Sequence, residues 1–306
     1  MEKLERKPVA GLMLALLLAS MLSMVLVIPV KAQYAVDSHT VALWHFDEVT
    51  TPDATGNIAG ILGGSPAPTL IEGKVGNALS FNGHNFVYVP ISPSLDISAE
   101  ITIEAWINVN AFKNVTYNNI VVKCTRAGLE WQTVTRLCGL AVKAGLPENG
   151  IAVPQGALSG FVYTDTGHFN EIVTTDPVIP LNQWIHVAFT RSLTTGMHLY
   201  VNGEEKKAKV TYGVQNPTGS IIKGTELYIG HDAEIIIDEP CISNIALEPS
   251  QLLSNIALQS QILMSEIDIG PNLLVAVAIV AVTFAIAWVL RRVIQTWGTY
   301  SKSKSL

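Results

Sequence analysis

The residues best placed to do chemistry form one short turn. Asp53-Ala54-Thr55-Gly56-Asn57-Ile58-Ala59-Gly60 sets a carboxylate, a hydroxyl and an amide on a tight glycine turn, and oxygen ligands on such a turn are what a hard cation such as calcium requires. The same residues can close an Asx turn on their own side-chain hydrogen bonds, so both readings stay open. Other chemistries lack their residues. Gly-x-Ser-x-Gly, His-Glu-x-x-His and a phosphate-binding glycine loop with lysine do not occur. The seven histidines are scattered and there is no Cys-x-x-Cys, which excludes structural-zinc spacing.

Three further side chains invite a role. Cys124 and Cys138 fall in runs, Ile120 to Lys123 and Leu137 to Val142, that can pair as antiparallel strands and bring the two Cα atoms within disulfide range. Cys241 is then the odd one, a lone thiol or half of an intermolecular bridge. Between the first two cysteines, Trp131 stands in a polar stretch, Glu130-Trp131-Gln132-Thr133, where its large face suits stacking on a sugar or a partner. Asn114-Val115-Thr116 is a glycosylation sequon in a polar loop.

The elements that must position these groups read as strands. In Ile101, Ile103, Ala105, Ile107 and Val109 apolar residues take every second place, with Thr102, Glu104, Trp106 and Asn108 on the other face, the period of a strand with one face in a core. Ile185, Val187 and Phe189 repeat the pattern, as do Leu199 and Val201. Asn202-Gly203 predicts a hairpin turn, because both residues accept positive φ. No helical pattern of ten residues interrupts Val41 to Ile245. The expected fold is therefore an all-β, antiparallel, two-sheet sandwich.

Two apolar segments bracket it. Residues 1–32 open with Lys3, Arg6 and Lys7, continue uncharged from Val9 to Ile28, and end Val30-Lys31-Ala32, the pattern of a signal peptide cleaved after Ala32; an uncleaved N-terminal anchor is the alternative. Residues 271–290 carry no ionisable side chain, and at about 1.5 Å per residue they span roughly the 30 Å hydrocarbon core as a C-terminal transmembrane helix. Arg291 and Arg292 follow at once. The positive-inside bias then puts the tail, 291–306, in the cytoplasm and the sandwich, 33–249, outside the cell membrane as a single-pass type I protein. A juxtamembrane stalk, 250–270, joins them. Between Gln33 and Gly270 there are 11 Lys plus Arg against 23 Asp plus Glu, a net −12. That acidic surface excludes nucleic acid as a partner and is compatible with divalent cations, neutral sugars or cationic surfaces.

The ordered strand signatures, ALSFNG at Ala78 to Gly83, FVYVP at Phe86 to Pro90, ITIEAWINV, WIHVAFT, LYVNGE, LYIG and the terminal IDE of Ile237 to Glu239, resemble the laminin-G-like, concanavalin A-like jelly roll over Val41 to Gln251. The resemblance implies a calcium set at the oxygen-rich turn: the carboxylate of Asp53, the amide oxygen of Asn57, the carbonyl of Gly60 and the carboxylate of Asp238. It also implies where a glycosidase on this fold would carry paired carboxylates, as Glu-x-Asp-x-Glu along one strand. The nearest match, Glu266-Ile267-Asp268, lies in the stalk, so catalysis is not expected. The expected activity is recognition of a carbohydrate or a cell-surface protein. The alternative is a structural or accessory subunit of a membrane or cell-envelope assembly.

Overall fold

The computed structural model describes residues 34–125 and 135–252. Its strands are β1 (Thr40–Leu43), β2 (Ile61–Gly64), β3 (Thr69–Glu72), β4 (Asn77–Asn82), β5 (Asn85–Val89), β6 (Ile101–Ala111), β7 (Asn118–Thr125), β8 (Thr135–Ala144), β9 (Gln155–Tyr163), β10 (Phe169–Thr174), β11 (Trp184–Ser192), β12 (Gly196–Val201), β13 (Glu204–Glu205), β14 (Ala208–Tyr212), β15 (Glu226–Ile229) and β16 (Glu234–Ser243), followed by a single helical turn, α1 (Pro249–Leu252). The expected signal peptide, the residues around Trp131 and the expected span at 271–290 lie outside the described residues. Among those described, no helix is long and apolar enough to cross a membrane.

The strands form two antiparallel eight-stranded sheets, ordered β13-β12-β11-β6-β16-β4-β3, with β1 also on β16, and β14-β10-β9-β8-β7-β15-β5-β2. The alternation read from the sequence places the core. Ile101, Ile103, Ala105, Ile107 and Val109 on β6 meet Val121, Leu140, Val142 and Leu158 of the other sheet in one buried cluster, which excludes water from both inner faces. Asn202 and Gly203 join β12 to β13 with φ of 51° and 77°, the two positive values that a tight hairpin turn demands.

The second face of β6 departs from the pattern. Polar alternation suggests an open face, yet Glu104 is buried and its Oε2 lies 3.1 Å from Nε2 of buried His186. Segments before β1 and after β16 cover it: Tyr34 packs with Leu43, Cys241 and Trp106, while Leu247 and Leu252 pack on Ala188 and Tyr200. These covering residues are far in sequence from β6, so periodicity within the strand could not reveal them.

The expected disulfide between Cys124 and Cys138 is corrected by the register. β7 and β8 do pair, but Cys124 stands opposite Arg136 and Cys138 opposite Lys123, with an irregularity between Lys123 and Cys124. Cys124 joins the cluster on the outer face of the sheet and Cys138 the inner core, and side chains on opposite faces of a sheet cannot bond. All three cysteines, Cys241 included, are buried and outside any disulfide. Burial pushes the Cys138 thiol up to about 11 and raises that of Cys241 as well. Since the thiolate is the reactive form, an alkylating reagent at neutral pH is expected to leave both untouched in the folded protein and to label three thiols without reductant once it is denatured. A denatured, unreduced chain with fewer than three reactive thiols would contradict the register.

Candidate functional site

At the oxygen-rich turn Asp53 organises its own loop. Its Oδ1 accepts the N–H of Leu43 at 2.8 Å and of Thr55 at 3.1 Å. Its Oδ2 accepts the Thr55 hydroxyl and the N–H groups of Asn57 at 3.2 Å and Ile58 at 3.3 Å. The carbonyl of Gly60 accepts the Thr51 hydroxyl at 2.7 Å. Asp238 is tied elsewhere, its Oδ2 accepting the Val75 N–H at 2.8 Å in the turn between β3 and β4. Asp53, Asn57 and Gly60 thus share one hydrogen-bonded loop whose oxygens face N–H and O–H donors, the geometry of an Asx turn. Among the described residues no three His, Cys, Asp or Glu side chains are grouped to hold a metal.

Beside that loop lies an open hollow of about 380 Å³ lined by His45, Phe46, Asp47, Glu48, Pro52 and Ala54. His45 Nδ1 is 2.7 Å from Glu239 Oε2. Burial lowers the His45 pKa, but the hydrogen bond and charge of Glu239 outweigh it and the net shift is upward. Asn114 and Thr116 are both exposed in the loop between β6 and β7, so the sequon is accessible. Trp106 and Trp184 are half-buried sheet residues.

A feature that the sequence reading did not single out crosses the outer face of the second sheet. Registers align Ile61, Tyr88, Tyr228, Val122, Gly139, Phe161, Glu171 and Tyr212 across β2, β5, β15, β7, β8, β9, β10 and β14. Six strand steps from Tyr88 to Tyr212, at about 4.8 Å each, make a row roughly 29 Å long. The rings contact one another in two groups. Tyr88 and Phe86 meet Tyr228 at centroid distances of 5.5 and 5.4 Å; Phe161, Phe169 and Tyr212 follow at 5.6 Å per step. Glycine is required at 139, since a Cβ there would stand 2.7 Å from the Phe161 ring. Phe86, Tyr88, Phe169 and Tyr212 remain partly exposed at the two ends.

Between those ends the face is closed by Tyr117 and a buried ionic group. Lys143 Nζ lies 3.5 Å from the Tyr117 ring centroid and donates to Glu148 at 2.5 Å and Glu171 at 2.9 Å. Ser159 and Thr211 each donate to Glu171 at 2.6 Å. Burial pushes Glu148 up to about 7. Burial acts on Glu171 too, but the Lys143 charge and these hydrogen bonds outweigh it and its pKa is lowered. The signal for the row was present in the sequence as aromatics alternating with core residues, Phe86 and Tyr88 against Val87 and Val89, and Tyr228 between Leu227 and Ile229.

A family model described as the Concanavalin A-like lectin/glucanases superfamily matches residues 81–252, more than half of the 306-residue chain. The chain belongs to that superfamily. Solved structures share the concanavalin A-like sandwich. Domain 4 of a GH43 extracellular arabinanase from Geobacillus stearothermophilus, in complex with arabinotriose, superposes with a TM-score of 0.52 at 19% identity over 71% of this chain and 98% of that one. The binding domain of Paraclostridial Mosquitocidal Protein 1 gives 0.50 at 18% identity, over 71% of this chain and 52% of its own. The receptor binding domain of a botulinum neurotoxin of mosaic serotype C/D gives 0.50 at 15%, over 74% and 51%. The chain spans about half the length of these two toxin domains. At such identities the likeness concerns the concanavalin A-like fold alone. No curated protein matches the sequence.

Proposed function

We propose that the chain is a non-catalytic, lectin-like binding module, held outside the cell membrane by a single type I span, whose ligand is an extended glycan lying along the aromatic row. The row carries this reading. Its partly exposed rings at Tyr88 and at Phe169 and Tyr212 offer flat apolar faces to sugar rings at two stations about 29 Å apart. The arabinotriose complex of the arabinanase domain supports a carbohydrate as the ligand class. Catalysis is disfavoured by burial: carboxylates whose pKa values are pushed apart suggest acid and base roles, but Glu148 and Glu171 are shut beneath Tyr117 and share one lysine. Calcium is dispensable to this reading, because Asp53 already accepts five hydrogen bonds.

The accessory-subunit reading draws on Ile61, which prolongs the row onto the open edge strand β2 and is 53% exposed. A glycan array probed with the full chain in detergent separates the two. Binding to an extended oligosaccharide is expected, equal in calcium and in chelator. Tyr88→Ala and Tyr212→Ala are each expected to weaken it about 3- to 10-fold, from roughly 0.5–1.5 kcal/mol per stacked ring. Binding indifferent to both substitutions removes the row as the site, and an array without binding favours protein contacts.

A further inference from the structure

The middle of the aromatic row is capped by a cation that none of the described residues neutralises. Tyr117 lies over the row with its ring 5.3 Å from that of Phe161, and two cations sit against that one ring, Lys143 Nζ at 3.5 Å and Arg136 Cζ at 4.2 Å from its centroid. Like charges this close repel, so they take opposite faces. Lys143 is 1% exposed and lies beneath, hydrogen-bonded to Glu148 and Glu171. Arg136 is partly exposed and takes the outer side. A local irregularity puts it there. Cys138 stands opposite Lys123 and Arg136 opposite Cys124, so Leu137 is the extra residue of a bulge that turns Arg136 onto the outer face beside Cys124. Strand β8 is three steps from β5 and three from β14, which sets the stack midway between Tyr88 and Tyr212, about 14 Å from each across the strands.

The charge of Arg136 bears on Asp232, but that carboxylate is engaged by His231 Nδ1 at 3.0 Å and lies 3.9 Å from Lys113. Glu226, two strands away in register, makes no ion pair with it. Among the described residues Arg136 has neither a salt bridge nor a hydrogen bond, and its contact is the Tyr117 ring. A guanidinium stacked on a ring keeps its N–H groups at its edge, a planar fork that fits a carboxylate with two parallel hydrogen bonds.

We propose that the glycan of the row is acidic, carrying a uronic-acid carboxylate that Arg136 binds midway between the two stacking stations. The inference rests on the glycan reading and adds the class of sugar to it. Residues 33–270 carry a net −12, from 11 basic against 23 acidic side chains, but a screening length of about 8 Å at physiological salt lets the local cation decide at contact range. Arg136 then sets specificity, while Tyr88 and Tyr212 supply stacking that acidic and neutral sugars share.

The test adds to the array, probed with the full chain in detergent, fragments of galacturonan, alginate and hyaluronan, each beside its carboxyl-reduced counterpart, so that the members of a pair differ only at the carboxyl group. At least one acidic fragment is expected to bind about 10-fold or more tightly than its reduced partner, the range for a hydrogen bond to a charged group. Raising the salt concentration about tenfold is expected to narrow that gap. Arg136→Met keeps a stem over Tyr117 but lacks the fork, and is expected to close the gap; Arg136→Lys is expected to restore only part of it, because an ammonium is not a planar fork. Tyr88→Ala is expected to weaken both members of a pair alike. Pairs that bind alike in the parent, binding confined to neutral oligosaccharides, or a gap that survives Arg136→Met each overturn the proposal and leave the glycan reading standing. An array on which no sugar binds overturns the glycan reading itself. Should Arg136→Met fail to fold, the parent decides: a gap indifferent to salt overturns the role of the guanidinium.

Discussion

Replacing Lys143 with methionine is expected to remove about 3–5 kcal/mol of folding stability, the usual cost of breaking a buried ion pair from one side. The side chain is 1% exposed and lies between Glu148 and Glu171, themselves 3% and 0% exposed. Methionine keeps the length of the stem but leaves two carboxylates facing each other without a cation. At roughly 2–4 °C per kcal/mol for a domain of this size, the melting temperature should fall by about 6–20 °C. Because the penalty comes from the abandoned carboxylates, the triple change Lys143→Met, Glu148→Gln, Glu171→Gln should recover part of the loss. A single variant as stable as the parent would mean that Lys143 is not the cation on which this network closes.

Asp238 sets the second large effect, with the opposite pH dependence from an ordinary surface carboxylate. Burial first, and then the charge of Glu239, push its pKa from 3.8 up to about 8, against the hydrogen bond from Val75. A folded-state value above the unfolded one means that the native state binds the extra proton between about pH 4 and 8. Stability is therefore greatest on the acid side of that window and declines as pH rises through it. At about 1.4 kcal/mol per unit the whole decline is on the order of 5 kcal/mol. Asp238→Asn keeps the shape of the protonated acid and should flatten the profile, raising the melting temperature at pH 8 more than at pH 5. A parent whose melting temperature climbs steadily from pH 5 to 8 would contradict the direction.

The sequence and the structure part company at specific residues. Strand positions were legible wherever one face alone met the core, as in Ile101 to Val109, and so was the turn at Asn202-Gly203. Glu104 and His186 were not, because the residues that bury them, Tyr34 and Cys241, lie on other elements distant in sequence. The cysteine pairing failed on one local irregularity: it displaces Cys124 relative to Cys138, and period-2 logic turns that into opposite faces. The oxygen-rich turn was ambiguous in sequence since calcium loops and Asx turns use the same residue types; what separates them is which donors the Asp53 oxygens face. The aromatic row was legible only strand by strand, as aromatics alternating with core residues at Phe86 to Val89 and Leu227 to Ile229. Its members are scattered from Ile61 to Tyr228 and become neighbours only through register.

The position of β16 bears on when the molecule can fold. This strand lies inside its sheet, with β6 along one side and β4 and then β1 along the other, so the first strand to emerge waits for the last. Contacts between residues about two hundred positions apart are slow to form, because the intervening chain must be closed first. At roughly 5–20 residues per second of synthesis, β1 spends on the order of ten seconds or more without its partner. On the proposed export route that delay is useful: the polypeptide remains threadable through a narrow pore, and closure of the sandwich becomes possible once residues 234–243 have reached the far side.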